Sequence, residues 1–232
     1  MAAEKYARGW IVTFVWPHMP WRARIEFRDV IRSEEELRVL MGAPVAPAVV
    51  DKTLSTLDRH CLTFIARSPF VLVAMSDGAG RMDISPKGDA PGFVRVLDEK
   101  TLAIPDRPGN QRFDTFRNLF QSPRVGLIFL IPGKRETLRI GGRAEVVRDA
   151  ALLESLNAQG KIPALALAVH VDEAFFHCSK CMIRSHLWQH EQWAALDGLP
   201  TLAETMKDAA AIAAPVEVIE GVIKEDEEQR LY

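Results

Sequence analysis

The first third of the chain carries apolar residues at helical spacing. Ser33 followed by Glu36 is typical of a helix N-terminus, and it predicts a helix through Met41 that stops at Gly42. A second helical pattern runs from position 47 to about 66. The sequence therefore predicts two helices before the first strand.

After position 68 the pattern changes to short apolar runs bounded by turn residues, which are typical of β-strands. Seven such runs begin at Phe70, Arg81, Gly92, Thr101, Val125, Glu136 and Ala166. Turn residues at 77–80, 98–100 and 132–134 fit antiparallel hairpins. Short helices are expected at 113–121 and 149–157. The spacing predicts a mainly β, antiparallel fold, a small β-barrel with flanking helices.

The two ends of the chain differ from this central part. The apolar run Trp10–Trp16 has seven residues, far too few for a membrane span. Near the other end, a helix is predicted from Thr201 to Ala213, and Pro215 should end it before a charged tail. We expect an N-terminal extension (1–30), one domain (31–195), and a C-terminal helix with its tail (196–232).

Charge and cysteine content narrow the class of protein. The chain has 29 basic and 31 acidic residues, and no basic face dominates, so neither nucleic acid nor a membrane surface is expected as a partner. Three cysteines cannot form a paired disulfide framework, which favours a cytoplasmic protein.

The stretch 83–112 concentrates hydrogen-bond donors on loops rich in glycine and proline. Arginine offers a planar fork to phosphate oxygens, while serine, asparagine and backbone N–H groups add neutral donors. These donors include Ser85, Lys87, Arg107, Asn110 and Arg112. They suit an anionic ligand such as a phosphate. The alternative is a pair of ordinary hairpin turns whose charges face water.

A second group of reactive side chains lies at 177–190. Cys178 and Cys181 are spaced as C-x2-C, and His186 and His190 follow four residues apart. Two cysteines and two histidines have the composition of a tetrahedral zinc site. The turn between the cysteines lacks the glycine that such zinc turns favour, and no thioredoxin-like pattern surrounds it. We therefore predict no metal site.

Three motifs in this chain resemble those of a known family. They are SPKGDAPGFV at 85–94, IPDRPGN at 104–110 and PGKRETLR at 132–139. Together they are similar to the pyridoxamine 5′-phosphate oxidase-related FMN-binding proteins, in a subfamily of unknown substrate. The resemblance implies an FMN-binding split barrel of antiparallel, Greek-key type. It also implies a homodimer with FMN at the subunit interface.

The resemblance further implies which residues bind the cofactor. Lys87 would lie near the flavin N1–C2=O edge and raise its potential, and Arg107, Asn110 and Arg112 would contact the phosphate. Thr137 would approach the ring, while Arg139 either faces the same site or forms an ion pair with Glu145 or Asp83. The full expected set is Ser85, Pro86, Lys87, Phe93, Val94, Pro105, Asp106, Arg107, Asn110, Arg112, Thr137 and Arg139.

The substrate side is implied by a segment similar to the one with which the other subunit completes the flavin site. Its candidate catalytic residues are His177, Lys180, Arg184 and Ser185. The alternative is that His177 and Trp188 only cap the end of the barrel. The function implied is an FMN-dependent oxidoreductase acting on a small molecule. The other two hypotheses are a non-catalytic flavin-binding protein and a haem-binding or haem-degrading split barrel with His170, His177, His186 or His190 as axial ligand.

Overall fold

The computed structural model describes residues 27–42 and 46–232. Seven strands form one antiparallel sheet in the order β2-β1-β5-β6-β7-β4-β3. The strands are β1 (Phe70–Ser76), β2 (Met82–Gly88), β3 (Arg95–Val96), β4 (Thr101–Pro105), β5 (Arg124–Leu130), β6 (Thr137–Val147) and β7 (Ala166–His177). This is the mainly β, antiparallel arrangement with flanking helices that the sequence predicted.

Eight helices accompany the sheet in the described residues. They are α1 (Glu34–Met41), α2 (Pro47–Val50), α3 (Arg59–Arg67), α4 (Asp114–Leu119), α5 (Ala150–Ser155), α6 (Lys180–Arg184), α7 (Leu202–Ala210) and α8 (Val216–Gln229), with one 3-10 turn at His190–Gln192. The helix α1 belongs to a unit that ends at Val45, and all the other elements belong to the unit from Ala46 to Tyr232. None of the helices in the described ranges is long and apolar enough to cross a membrane.

Helix α1 forms where the sequence predicted it. The Ser33 hydroxyl accepts a hydrogen bond from the backbone N–H of Glu36 at 3.2 Å, and Gly42 ends the helix with φ +81°. Only glycine adopts that left-handed conformation at little cost. The structure confirms the helix that the capping pattern predicted.

The predicted second helix is wrong in its middle. Leu54 exchanges two backbone hydrogen bonds with Ala174 of β7, at 2.9 and 2.8 Å, so the chain is extended at this point. Asp58 then begins a new helix, α3, because its carboxylate accepts from the N–H groups of His60 and Cys61. The long helical pattern is therefore divided between α2 and α3.

Two further predictions need correction. The strand expected from Gly92 is reduced to Arg95–Val96, because Gly92 has φ +88° and the N–H of Phe93 closes a turn onto the carbonyl of Ala90. After Pro215 the chain forms helix α8 instead of a charged tail. Proline is compatible with the start of a helix, and buried Ile219 anchors this one.

One face of the sheet packs against α3 and α4 to form the hydrophobic core. Val71, Val73 and Met75 of β1 point into it with exposures between 0 and 2 %. Strand β6 changes register against β7 at Gly141 and Gly142, where a Cβ on Gly142 would lie only 2.1 Å from the carbonyl oxygen of His170. Glycine is required at this bulge because the two backbones approach so closely.

Candidate functional site

The core-facing side of the sheet becomes polar at its edge strand, β2. In the register with β1, Asp83, Ser85 and Lys87 stand opposite buried Met75, Val73 and Val71, so they continue the inner face. All three are partly exposed. Alternation along the strand thus places a carboxylate, a hydroxyl and an ammonium group where the core opens to solvent. Ser85 and Lys87 thus lie within a strand, and not on a loop as the sequence predicted.

A loop with an unusual backbone faces this edge. It connects β4 to α4, and two of its residues, Gln111 and Phe113, have φ of +56° and +57°. These conformations are costly for residues with a Cβ, and such residues concentrate at functional sites. Between them stands Arg112, whose N–H donates to the Asn110 side chain at 3.1 Å and whose guanidinium contacts Asp114 at 2.6 Å. Arg112 itself is exposed.

Strand β2 and this loop enclose a cavity of about 710 Å³. Its charged lining comprises five basic residues (Lys87, Arg107, Arg112, Lys161, Arg230) and three acidic ones (Asp83, Asp106, Asp114). The volume lies within the range of cofactor and small-molecule sites, and the excess of cations suits an anionic ligand. Of the expected cofactor-binding residues, the cavity brings together Ser85, Pro86, Lys87, Asp106, Arg107, Asn110 and Arg112.

Arg107 is held by partners of its own. Its Nε donates to Asp89 Oδ2 at 2.7 Å and its Nη2 to the carbonyl of Leu156 at 3.0 Å. The other oxygen of Asp89 accepts from the hydroxyl of Tyr232 and from the N–H of Ala90, both at 2.6 Å. The guanidinium also lies 5.8 Å from the centre of the Tyr232 ring. The ion pair of Arg107 and Asp89 is mostly buried, since the Asp89 side chain is 3 % exposed and the Arg107 side chain 15 %.

The carboxylates around the cavity have opposite pKa shifts. Burial raises the pKa of Asp89, but the hydrogen bonds from Tyr232, Ala90 and Arg107 outweigh it, so that the pKa is lowered overall. Burial also raises the pKa of Asp106, and the nearby charge of Lys87 only partly opposes this rise. Asp89 is therefore a stable anion, whereas Asp106 ionises less readily.

The other expected cofactor-binding residues lie outside this cavity. Phe93, Val94, Pro105 and Thr137 are buried. Arg139 is on the opposite face of the sheet, 5.0 Å from the centre of the Phe175 ring, and it borders a second cavity of about 370 Å³. Glu145, one of its suggested partners, instead pairs with His170 at 2.9 Å.

The segment that begins at His177, the last residue of β7, lines neither cavity. His177 is partly exposed, while Lys180, Arg184 and Ser185 are exposed, and none of the four lines either cavity. The Trp188 indole N–H donates to the carbonyl of Lys134 at 2.7 Å, which docks this segment on the β5–β6 hairpin.

The two cysteines and two histidines whose spacing resembles a zinc set do not form one group of ligands. All three cysteines are free, and His186 bonds Gln189 while His190 pairs with Glu191. Across residues 27–42 and 46–232, no three His, Cys, Asp or Glu side chains are grouped as metal ligands.

Sequence reasoning missed three polar residues of the main cavity that come from distant parts of the chain. Lys161 follows α5, and Arg230 and Tyr232 come after α8, all far along the chain from the loop that they face. Only their residue types could have indicated them, because no motif surrounds a lysine, arginine or tyrosine in these polar segments.

The family model of pyridoxamine 5′-phosphate oxidase matches residues 57–178, just over half of the chain. No curated protein matches.

Several solved structures are similar over about half of the chain. HupZ of Group A Streptococcus is 24 % identical, covering 51 % of this chain and 92 % of its own, with a TM-score of 0.42. A pyridoxamine 5′-phosphate oxidase homologue from Lactobacillus delbrueckii is 19 % identical, covering 53 % and 95 %, with a TM-score of 0.42. A protein of Clostridium acetobutylicum related to general stress protein 26 is 17 % identical, covering 51 % and 85 %, with a TM-score of 0.39.

Proposed function

Because the chain belongs to the pyridoxamine 5′-phosphate oxidase family, whose members commonly bind flavin nucleotides and form homodimers, we propose that it is an FMN-binding oxidoreductase. The predicted split-barrel fold agrees with this family and is confirmed. The substrate would be a small molecule, and the three free cysteines suit the cytoplasm.

The observation that carries this proposal is the meeting of β2 with the β4–α4 loop in one cavity. FMN needs room for a flat ring, donors for ring oxygens and a cationic site for its phosphate. The cavity of about 710 Å³ offers the Ser85 hydroxyl and the Lys87 ammonium group on one side, and Asn110 and Arg112 on the other. These donors fit the chemistry of the cofactor.

We assign the phosphate to Arg112 and Asn110, with Lys161 and Arg230 adding positive charge. Arg107 is bound to Asp89 and to the Leu156 carbonyl, so its part is to shape the wall. Lys87 would stabilise negative charge on the reduced ring. FMN, when bound, supplies the hydride and electron chemistry, and the protein supplies position and electrostatics.

The homodimer would account for residues that lie away from the cavity of their own chain. Arg139 borders the second cavity on the outer face of the sheet. His177, Lys180, Arg184 and Ser185 lie in a segment that is partly or fully exposed. A second copy could supply these groups to the cavity, with FMN at the subunit interface, and the four residues remain our candidates for the substrate side.

Titration of the purified protein with FMN and with riboflavin, followed by flavin fluorescence, tests the phosphate assignment. Arg112→Ala should weaken FMN binding about 10- to 100-fold, because one charge-assisted hydrogen bond is lost, and should leave riboflavin binding unchanged. Arg117→Ala is the matched control, since Arg117 is exposed on α4 and does not line the cavity. Equal FMN affinities for the two variants would contradict the assignment.

The visible spectrum and anaerobic reduction test the reaction class. Bound flavin should be bleached by a reduced nicotinamide or another donor. Flavin that binds but is never reduced by any donor would leave a binding protein without turnover. A Soret band after haem addition, with no flavin binding, would overturn the proposal, although no histidine of the described residues lines either cavity.

A further inference from the structure

Two free cysteines lie at the start of helix α6. Cys178 directly follows β7, and Cys181 is in the first turn of α6. Both are exposed, whereas the third cysteine, Cys61, is fully buried in the core. Neither exposed cysteine belongs to the core or lines either cavity, so the roles described above leave both thiols unused.

The backbone between the two cysteines brings them close together. Ser179 has φ −76° and ψ −7°, and Lys180 is the first residue of α6, so both central residues of the stretch 178–181 have a right-handed helical backbone. In such a turn the first and fourth Cα atoms lie less than about 7 Å apart, and side chains three positions apart are neighbours. A disulfide joins Cα atoms that are about 4.4–6.8 Å apart. The turn therefore suits a disulfide between Cys178 and Cys181.

Both ends of this turn are held in place by the fold. His177 is paired with β6 in the sheet, which fixes the chain just before Cys178. The N–H of Ser185 donates to the carbonyl of Cys181 at 3.0 Å, and the Trp188 indole holds the same segment on the β5–β6 hairpin. Two groups held at a short separation react with each other at a high effective concentration.

The surroundings of the two cysteines are basic. Lys180 lies between them and Arg184 is the last residue of α6, and both are exposed. The stretch 174–190 contains no aspartate or glutamate. Reactive cysteines are found in such electropositive, exposed places, because the thiolate is the nucleophile. The positive charge also favours an anionic reaction partner.

We propose that Cys178 and Cys181 form a redox-active dithiol that small anionic disulfides oxidise reversibly. One thiolate attacks the disulfide R–S–S–R, a mixed disulfide forms, and R–S⁻ leaves. The second thiolate attacks the protein sulfur of the mixed disulfide, so that the Cys178–Cys181 bond forms and the second R–S⁻ leaves. The protein loses two electrons and two protons, and the small disulfide is reduced to two thiols. The exchange involves neither the cavity nor FMN.

The experiment incubates the reduced, flavin-free protein with mixtures of oxidised and reduced glutathione, followed by acid quenching, alkylation, intact mass measurement and peptide mapping. Wild type should lose two hydrogens, and the map should join Cys178 to Cys181. In Cys178→Ser and in Cys181→Ser the remaining exposed thiol should keep glutathione. This mixed disulfide should be at least about tenfold more abundant than in wild type, where the second thiol displaces the glutathione.

Cys61 is the internal control of the same experiment. Burial raises the pKa of its thiol to about 11, so that it stays protonated and unreactive. It should be alkylated only after the protein is unfolded.

Three results would overturn the dithiol. One is wild type that carries glutathione on both exposed cysteines without an internal disulfide. Another is a pair of thiols that stays reduced in oxidised glutathione alone. The third is a disulfide that joins two molecules or includes Cys61. Since the protein is free of flavin throughout, failure of the dithiol leaves the proposed function standing, and failure of FMN binding leaves the dithiol standing.

Discussion

Replacing Arg107 tests whether this arginine supports the fold or binds the ligand. In Arg107→Met the alkyl part of the side chain is kept and the guanidinium is lost. The carboxylate of Asp89, only 3 % exposed, then remains buried without its cationic partner. Breaking a buried pair in this way typically costs about 3–5 kcal/mol. Since Asp89 keeps hydrogen bonds from Tyr232 and Ala90, we expect the lower end, about 3 kcal/mol.

Urea denaturation of the flavin-free protein measures this loss of free energy of unfolding. The melting temperature of Arg107→Met should fall by about 6–12 °C. Arg112→Met is the matched control, because the Arg112–Asp114 pair is exposed and should leave the free energy of unfolding unchanged. The double variant Asp89→Asn with Arg107→Met should recover part of the loss, since no unpaired charge remains buried.

The pH dependence adds an independent check. The pKa of Asp89 is held below its ordinary value of 3.8, so its ionised form stabilises the fold above that pH. This contribution is lost as the pH falls through the lowered pKa, and the difference between wild type and Arg107→Met should shrink there. An Arg107 variant as stable as the Arg112 variant at pH 7 would refute the reasoning.

Three further predictions concern single side chains. Lys87→Ala should retain FMN but lower its midpoint potential, measured by dye equilibration, and an unchanged potential would remove Lys87 from the ring. Burial raises the pKa of Asp106, so its ionised form lowers the stability of the fold at neutral pH. Asp106→Asn should therefore have a higher melting temperature than wild type at pH 7 and the same melting temperature below about pH 3.8. A lower melting temperature of this variant at pH 7 would contradict the prediction. Gly142→Ala should lower the free energy of unfolding by about 1–3 kcal/mol or more in urea denaturation, because its Cβ would meet the His170 carbonyl, whereas Gly126→Ala meets nothing within 4 Å and should be tolerated.

Local signals in the sequence were enough to predict most of the fold. The strand pattern gave the mainly antiparallel architecture, and Ser33 and Thr201 marked helix starts that the structure confirms through hydrogen bonds to the backbone. The long helix predicted over 47–66 failed because its pattern could not show that Leu54 pairs with Ala174, 120 positions away, roughly the whole length of the sheet region. Such pairing is decided by tertiary contacts.

The candidate site also has a part that the sequence predicted and a part that depends on tertiary contacts. Ser85, Lys87, Asn110 and Arg112 lie on two nearby stretches, and their residue types alone indicated an anionic ligand. The role of Arg107 could not be predicted, because its partners come from Asp89, from the end of α5 and from the last turn of the chain. A sequence shows which side chains carry charge, but not which charges are already paired within the fold.

The edge strand β2 has a consequence for self-association. In the part of the chain that the structure describes, no strand pairs with the outer edge of β2, and such an edge is a template on which another strand can add. Met82 and Ile84 are strongly exposed on this strand. Pro86 has no N–H to offer a neighbour, and Asp83 and Lys87 place opposite charges along the same seven residues. Residues of the cavity wall thus also disfavour edge-to-edge pairing between copies of the protein. Replacing Pro86 or Lys87 by a β-branched apolar residue would favour such pairing and lower the solubility.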